Sequence, residues 1–254
     1  MQHDEPMNLV LEGRKAVLEA LNHNKPIDRI LLRRDKNAPS IEGTLKLIAS
    51  KARDNKVVVQ EVDRAKLDEV SETGHHQGVI ALCPAVPYFT VDEILDIAAQ
   101  RGEAPFIIVL DGVTDPHNLG AVMRSAEAGG AHGVIIPKRR AVGLTGTVAK
   151  TSAGAINHIA VARETNITRT LEYLKEKGLW IACADMDGES VFKANLSGPI
   201  ALVFGAEGEG VSRLVSKTSD FTISIPMLGK VASLNVSVAA GVCIYEVVRA
   251  RLNQ

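Results

Sequence analysis

Two apolar rhythms alternate along the chain, one repeating every three to four residues and one running without interruption, and their succession lays out the elements. Around "LEGRKAVLEALN" apolar residues at Val10, Ala16, Val17, Leu18 and Leu21 predict a helix. It is followed by "RILLR" as a strand, "TLKLIASKARDN" as a helix, and "VVVQEV" and "GVIALC" as strands, which together make a small α/β unit. From residue 106 a second series begins. The strands "FIIVLD", "GVIIP", "HIAVA", "LWIACAD", "IALVFG" and "FTISIP" are interleaved with helical patterns in "NLGAVMRSAEAGG", "GLTGTVAKTSAGA", "ITRTLEYLKEKG" and "NVSVAAGVCIYEVVRARL". Continuous apolar strands are buried on both faces, so the expected architecture is a mostly parallel sheet between layers of helices.

Between the two series lies "PAVPYFTVDEILDIAAQRGEAP", which opens with two prolines and closes on Gly102 and Pro105. It reads as a linker carrying one short acidic helix near residues 90–100. The expected organisation is therefore a first domain over 8–83, a linker over 84–103 and a second domain over 104–254.

Composition adds bounds to this picture. With 254 residues and 46% hydrophobic content the chain can bury a sizeable core. No run of eighteen apolar residues occurs, and "MQHDEPM" has neither a basic nor an apolar leader region, so a cytoplasmic protein without a membrane span is expected. Cys83, Cys183 and Cys243 stand alone in apolar runs, as buried free thiols do. The net charge of −1 conceals two mildly basic parts: residues 8–83 hold 13 basic against 11 acidic side chains, and residues 104–254 hold 15 against 13. That balance permits a nucleic-acid partner without requiring one.

Ligands on parallel sheets bind beyond the carboxyl ends of the strands, which directs attention to the loops after residues 111, 136, 205 and 225. In "DGVTDPHNLGAVMRSAEAGG" the stripe Leu119, Val122, Met123, Ala126 and Gly130 faces the core, while Arg124 lies about 200° round the helix from Val122 and Ala126. Asn118 is expected at the N-cap. A capped helix with one solvated arginine accounts for this stretch equally well. In "LVFGAEGEGVS" a strand runs into Gly205, Gly208 and Gly210 with Glu207 and Glu209 between them. Carboxylates there disfavour a phosphate and suit a cationic or hydroxyl-bearing ligand; the plain alternative is a tight turn. In "IPMLGKVASLNVSVAAG" Ile225, Pro226, Met227, Leu228 and Gly229 form an apolar turn that cannot be a strand interior. Ser233 to Asn235 then reads as the cap of the final helix. An apolar wall with open main-chain groups suits a heterocycle, and a core loop is the competing reading.

Taken in this order and spacing, the three segments resemble the three motifs of the SpoU (TrmH-like) branch of the SPOUT RNA methyltransferases. Residues 104–254 are similar to the catalytic domain of that family. Residues 8–83, with "EGRKAVLEAL" and "GHHQGVIAL", are similar to its substrate-binding domain, which is related to the ribosomal protein L30e fold. The two-domain form most resembles the bacterial 23S rRNA guanosine 2'-O-methyltransferases. The resemblance implies a deep trefoil knot, where physical expectation alone gives an unknotted doubly wound sheet. It also implies S-adenosylmethionine as cofactor and a homodimer joined through the final helix and the knot. It assigns catalysis to Asn118, Arg124, Glu207, Ser233 and Asn235, and the cofactor pocket to Gly205, Ile225, Met227, Gly229 and Leu234.

For an RNA partner, Arg14, Lys15, Arg33 and Arg34 in the first domain and Lys138, Arg139 and Arg140 in the second are candidate phosphate contacts, each equally readable as a solvated charge. "HHQG" at 75–78 places adjacent histidines on different sides of the chain with no further ligand at metal spacing, so no metal is expected. Two rival functions stay open on the sequence. A dinucleotide-dependent oxidoreductase lacks its G-x-G-x-x-G after the first strand of the second series. A catalytically silent RNA-binding protein is opposed only by the joint presence of the five candidate catalytic residues. Within the methyltransferase reading, tRNA or another rRNA site is the alternative substrate.

Overall fold

The computed structural model describes residues 10–34 and 43–253, so the start of the domain placed from residue 8 lies outside the described residues. The chain forms two compact units that divide between Pro87 and Tyr88.

The first unit runs β1 (Val10–Glu12), α1 (Arg14–Asn22), β2 (Arg29–Arg33), α2 (Thr44–Asp54), β3 (Val58–Val62), α3 (Arg64–Val70) and β4 (Val79–Leu82). Its sheet has the order β1-β4-β2-β3, with β2 and β3 parallel and the other pairs antiparallel. Alternation along β2 divides the core. Ile30 and Leu32 face Val17 and Leu21 of α1 and Ile48 and Ala52 of α2, whereas Leu31 faces Leu67 of α3 on the opposite side. The three-residue β1 and the seven-residue α3 are too short to show a period, which is why the apolar pattern does not announce them. α3 starts instead on its cap, where the Asp63 carboxylate accepts from the Lys66 N–H at 2.9 Å.

The second unit opens with α4 (Val91–Arg101), followed by β5 (Phe106–Asp111), α5 (Pro116–Ala128), β6 (Gly133–Pro137), α6 (Gly146–Thr151), β7 (Ala160–Glu164), α7 (Ile167–Glu176), β8 (Trp180–Ser190), β9 (Ile200–Gly205), α8 (Arg213–Thr218), β10 (Phe221–Ser224) and α9 (Val236–Leu252). The six strands lie in the order β10-β8-β9-β5-β6-β7 and every neighbouring pair is parallel. The segment read from its prolines as a linker contributes α4 to this unit. A Thr90–Glu93 capping box starts the helix, and Val91 and Ile94 join α7 residues Ile167, Leu171 and Leu174 over Ile107, Val109, Ile135 and Ala162 of the sheet. Its acidic residues are the solvent face of a core helix.

On the other face α5 packs between α6 and α9. The approach of α5 to α6 depends on Gly120, where an added Cβ would lie 2.0 Å from Thr151 Oγ1. α9 buries Val236, Ala240, Cys243, Ile244 and Val247 where it packs on α5 and β9, and leaves Val238 and Tyr245 exposed. Burial pushes the Cys183 and Cys243 thiols up to about 11 and about 12, which keeps them protonated. At the far end of α9 the Arg251 guanidinium lies over the Phe106 ring and donates from Nη2 to the carbonyls of Ala104, Pro105 and Gly198 at 2.9, 3.3 and 3.0 Å. This fastens the helix end to the edge of the sheet where β5 and β9 begin.

Candidate active site

At the opposite edge the carboxyl ends of β5 and β9 lie side by side, with Asp111 in register with Gly205. The chain leaves β5 through Gly112 and enters α5 at Pro116. The cap is Asp115, whose Oδ1 accepts from the His117 N–H at 2.8 Å, and not Asn118 as expected. Proline fits the first helical position because its φ is preset and its missing N–H would be unpaired there in any case, so the residue before it becomes the cap. Asn118 is thereby set inside the first turn, only 6% exposed, with its amide released from capping.

Beyond β9 the chain folds back at once. Ala206 bridges Gly210, whose N–H donates to the Ala206 carbonyl at 2.9 Å, and Gly208 and Gly210 take positive φ to close the turn around Glu207. The returning backbone passes so near Gly205 that an added Cβ would sit 1.9 Å from the Gly210 carbonyl carbon. One further bond ties this turn to the neighbouring strand: the Ser212 N–H donates to Asp111 Oδ2 at 2.9 Å.

The third segment, 225–235, connects β10 to α9. Its apolar side chains are strongly exposed, Leu228 by 99% and Val231 by 69%, with Met227 and Leu234 each at 37% and Ile225 half-buried. Nothing stands within 4 Å of where a Gly229 Cβ would be. Among the described residues none of the main-chain N–H or C=O groups of 225–234 has a hydrogen-bond partner. A segment that shows both apolar side chains and unused main-chain donors and acceptors can hold a planar heterocycle, gripping its faces by packing and its edge by hydrogen bonds.

Asn235 closes the arrangement. As the cap of α9 its Oδ1 accepts from the Ser237 N–H at 2.9 Å and from Ser237 Oγ at 2.5 Å. Its Nδ2 donates to Asn118 Oδ1 at 2.9 Å and to Glu207 Oε1 at 2.5 Å. One amide thus joins three segments that are far apart in sequence, with all four of its hydrogen-bonding positions used. Among the described residues Asn118 Nδ2 and Glu207 Oε2 keep no partner, so the cluster offers one donor and one acceptor to a ligand. Arg124 and Ser233 are exposed and, among the described residues, bond to no member of the cluster.

The basic candidates are spread over both units. Arg139 and Arg140 are exposed on the loop after β6, which is joined to the β5–α5 loop by the Val142 N–H donating to the Val113 carbonyl at 3.1 Å. The same loop is held by Tyr88, whose hydroxyl accepts from the Leu144 N–H at 3.0 Å, and the Lys138 carbonyl accepts from Arg163 Nη2 at 3.1 Å. In the first unit Lys15 is exposed and Arg33 half-buried. Arg14 donates from its N–H and from Nε to Gln77, each at 3.2 Å, while Arg34 pairs with Glu61 at 2.6 Å. His75 is exposed, but His76 is buried and structural: Nδ1 accepts from the Gly78 N–H at 2.9 Å, so the proton is on Nε2, which donates to Asp68 at 3.0 Å. Among the described residues no three His, Cys, Asp or Glu side chains are grouped to hold a metal ion. Sequence reasoning missed Ser237, Asp111 and Tyr88. For Ser237 a signal was present in its place two residues beyond a capping asparagine.

The chain has relatives among known proteins. Residues 105–245 match the SpoU rRNA Methylase family, and residues 10–89 match the domain described as RNA 2'-O ribose methyltransferase substrate binding. The chain is 46% identical over 241 residues, 94% of each chain, to YacO of Bacillus subtilis strain 168, a protein assigned to the TrmH family of tRNA/rRNA methyltransferases. Among solved structures it is similar to the SpoU methyltransferase AviRb of Streptomyces viridochromogenes in complex with AdoMet, at a TM-score of 0.60 and 23% identity, covering 96% of this chain and 91% of that one. It is likewise similar to the AdoMet-bound rRNA methyltransferase of Sinorhizobium meliloti, at a TM-score of 0.59 and 24% identity over 95% and 87% of the two chains. The fold is the α/β trefoil-knot fold of the SPOUT methyltransferases preceded by a small separate domain.

Proposed function

Because the chain belongs to the SpoU family of RNA methyltransferases, we propose that it transfers a methyl group from S-adenosylmethionine to a ribose 2'-hydroxyl, with a guanosine of 23S rRNA as substrate. The observation that carries the reading is the Asn235 amide, which draws Asn118 and Glu207 together beside an apolar segment with unused main-chain groups. The AdoMet complexes of AviRb and of the Sinorhizobium meliloti enzyme support the choice of cofactor.

In this reading Ile225, Met227, Gly229 and Leu234 hold the adenine, with Gly205 on the neighbouring turn. The bound cofactor supplies an electrophilic methyl group on a sulfonium. The chain's own task is then to line up the ribose oxygen with that methyl and to accommodate the charge on the oxygen as its proton leaves. Glu207 Oε2 accepts the hydrogen bond of the hydroxyl and takes its proton as the oxygen gains the methyl, and Asn118 Nδ2 donates to the acceptor nucleotide. Arg124 anchors the adjoining phosphate and stabilises the forming alkoxide, since a guanidinium holds its protons too firmly to serve well as a base. Ser233, next to the cofactor segment, completes the catalytic set. Phosphates elsewhere on the RNA are met by Arg139, Arg140 and Lys138 in the second domain and by Arg14, Lys15, Arg33 and Arg34 in the first. The exposed Leu228 and Val231 and the outer face of α9 are covered by a second copy, making the working unit a cytoplasmic homodimer.

The test is transfer of labelled methyl to rRNA and tRNA purified from cells lacking the protein, followed by mapping of the methylated ribose. Label at one ribose of 23S rRNA is the expected result. Label in tRNA alone would move the substrate to that class, and label on a base would refute the ribose chemistry.

A further inference from the structure

We infer that Ser237 is a positioning residue for methyl transfer, acting through Asn235; the inference rests on the reading above that Asn118, Glu207 and Asn235 form the site. An asparagine amide has nearly the same shape after a half-turn, so its neighbours decide which end faces which partner. A main-chain N–H only donates and a carboxylate only accepts. The Ser237 N–H at 2.9 Å therefore holds Oδ1 on the helix side, and Nδ2 is left facing Glu207 and Asn118.

Any residue at 237 supplies that N–H. What serine adds is the hydroxyl, whose one hydrogen goes to the same Oδ1 at 2.5 Å. Asn235 is exposed, so water competes for its amide, and two donors hold Oδ1 against that competition where one does not. In molecules where the amide turns over, Oδ1 meets the Glu207 carboxylate at a spacing that now holds a hydrogen bond, and the two repel. Glu207, on an exposed turn with no other side-chain partner among the described residues, is then released from Asn235. Ser233, on the other side of Asn235, forms no such bond among the described residues.

The experiment compares the full-length parent with Ser237→Ala and Ser237→Thr in two measurements. The first is steady-state methyl transfer from labelled S-adenosylmethionine onto RNA from cells lacking the protein. The second is the ¹H–¹⁵N spectrum of the Asn235 side-chain amide in the protein without RNA. For Ser237→Ala the expectation is a fall in kcat of roughly 10- to 100-fold, with KM for RNA and affinity for S-adenosylmethionine within about twofold. The Asn235 amide pair should broaden or shift toward free-amide values. Ser237→Thr, which keeps the hydroxyl, should restore both. Turnover of Ser237→Ala within about twofold of the parent, or an unmoved amide pair, overturns the inference. A parent that methylates no RNA fraction refutes the proposed function instead. In that event the amide spectra alone decide the positioning role, and identical spectra for parent and Ser237→Ala reject it.

Discussion

Replacing Asn235 tests the core of the arrangement, because a single side chain there caps a helix and joins two distant segments. In Asn235→Ala the cap of α9 is lost, which costs about 1 kcal/mol. The Asn118 carbonyl oxygen, on a side chain only 6% exposed, loses its 2.9 Å donor, at about 1–3 kcal/mol for an unsatisfied group in that setting. The bond to Glu207 adds at most about 1 kcal/mol, since that carboxylate is exposed and water replaces the donor. The sum, about 2–5 kcal/mol, lowers the melting temperature of the second unit by roughly 6–14 °C for a unit of this size. Asn235→Ser separates the contributions: the short hydroxyl still caps but does not reach Asn118 or Glu207, so about 1 kcal/mol should return. Scanning calorimetry of both variants against the parent measures this directly. An Asn235→Ala protein melting within about a degree of the parent would refute the bridging role. Equal melting of the two variants would mean the cap contributes nothing.

Gly205→Ala places a methyl 1.9 Å from the Gly210 carbonyl carbon, so the Glu207 turn must move; we expect a cost of about 1–3 kcal/mol and loss of most transferase activity, checked by melting and turnover. Arg124→Lys retains the charge but not the planar fork, and turnover at saturating RNA should drop at least about tenfold; near-normal turnover would rule out a guanidinium-specific role. Burial alone would raise the Glu12 pKa, but hydrogen bonds from the Ser71 and Thr73 hydroxyls and the Glu72 and Thr73 N–H groups outweigh it and bring it down to about 2. A folded-state value below the ordinary 4.5 means that the stability Glu12 gives the first unit is present above that pH and is lost as pH falls through about 2. The Thr73 amide proton followed by NMR should stay unchanged from pH 7 down to about 3.5, and a midpoint near the ordinary carboxylate value would contradict the assignment.

How far each feature could be read in advance depended on whether its cause was local. β5, β6 and β9 were legible because burial on both faces leaves an unbroken apolar run, and all three strands end where the run ends. The role of α4 was not, because its partners Ile107 and Ala162 lie outside the segment and only its prolines and acids are visible locally. Asn118 was read as a cap because asparagine suits that position, yet the neighbouring Asp115–Pro116 pair satisfies the helix start better. The meeting of Asn118 with Asn235, 117 positions away, has no local signature. Resemblance to a family supplied the grouping of Asn118, Glu207 and Asn235, and the structure supplies the bonds.

α9 is anchored at both extremities, by Asn235 where β5 and β9 end and by Arg251 where they begin. One residue inserted between these anchors would advance the later half by about 1.5 Å and swing it through about 100°. Asn235 and Arg251 could not then both reach their partners. The helix is therefore a strut of set span, whose count of residues is not free to vary.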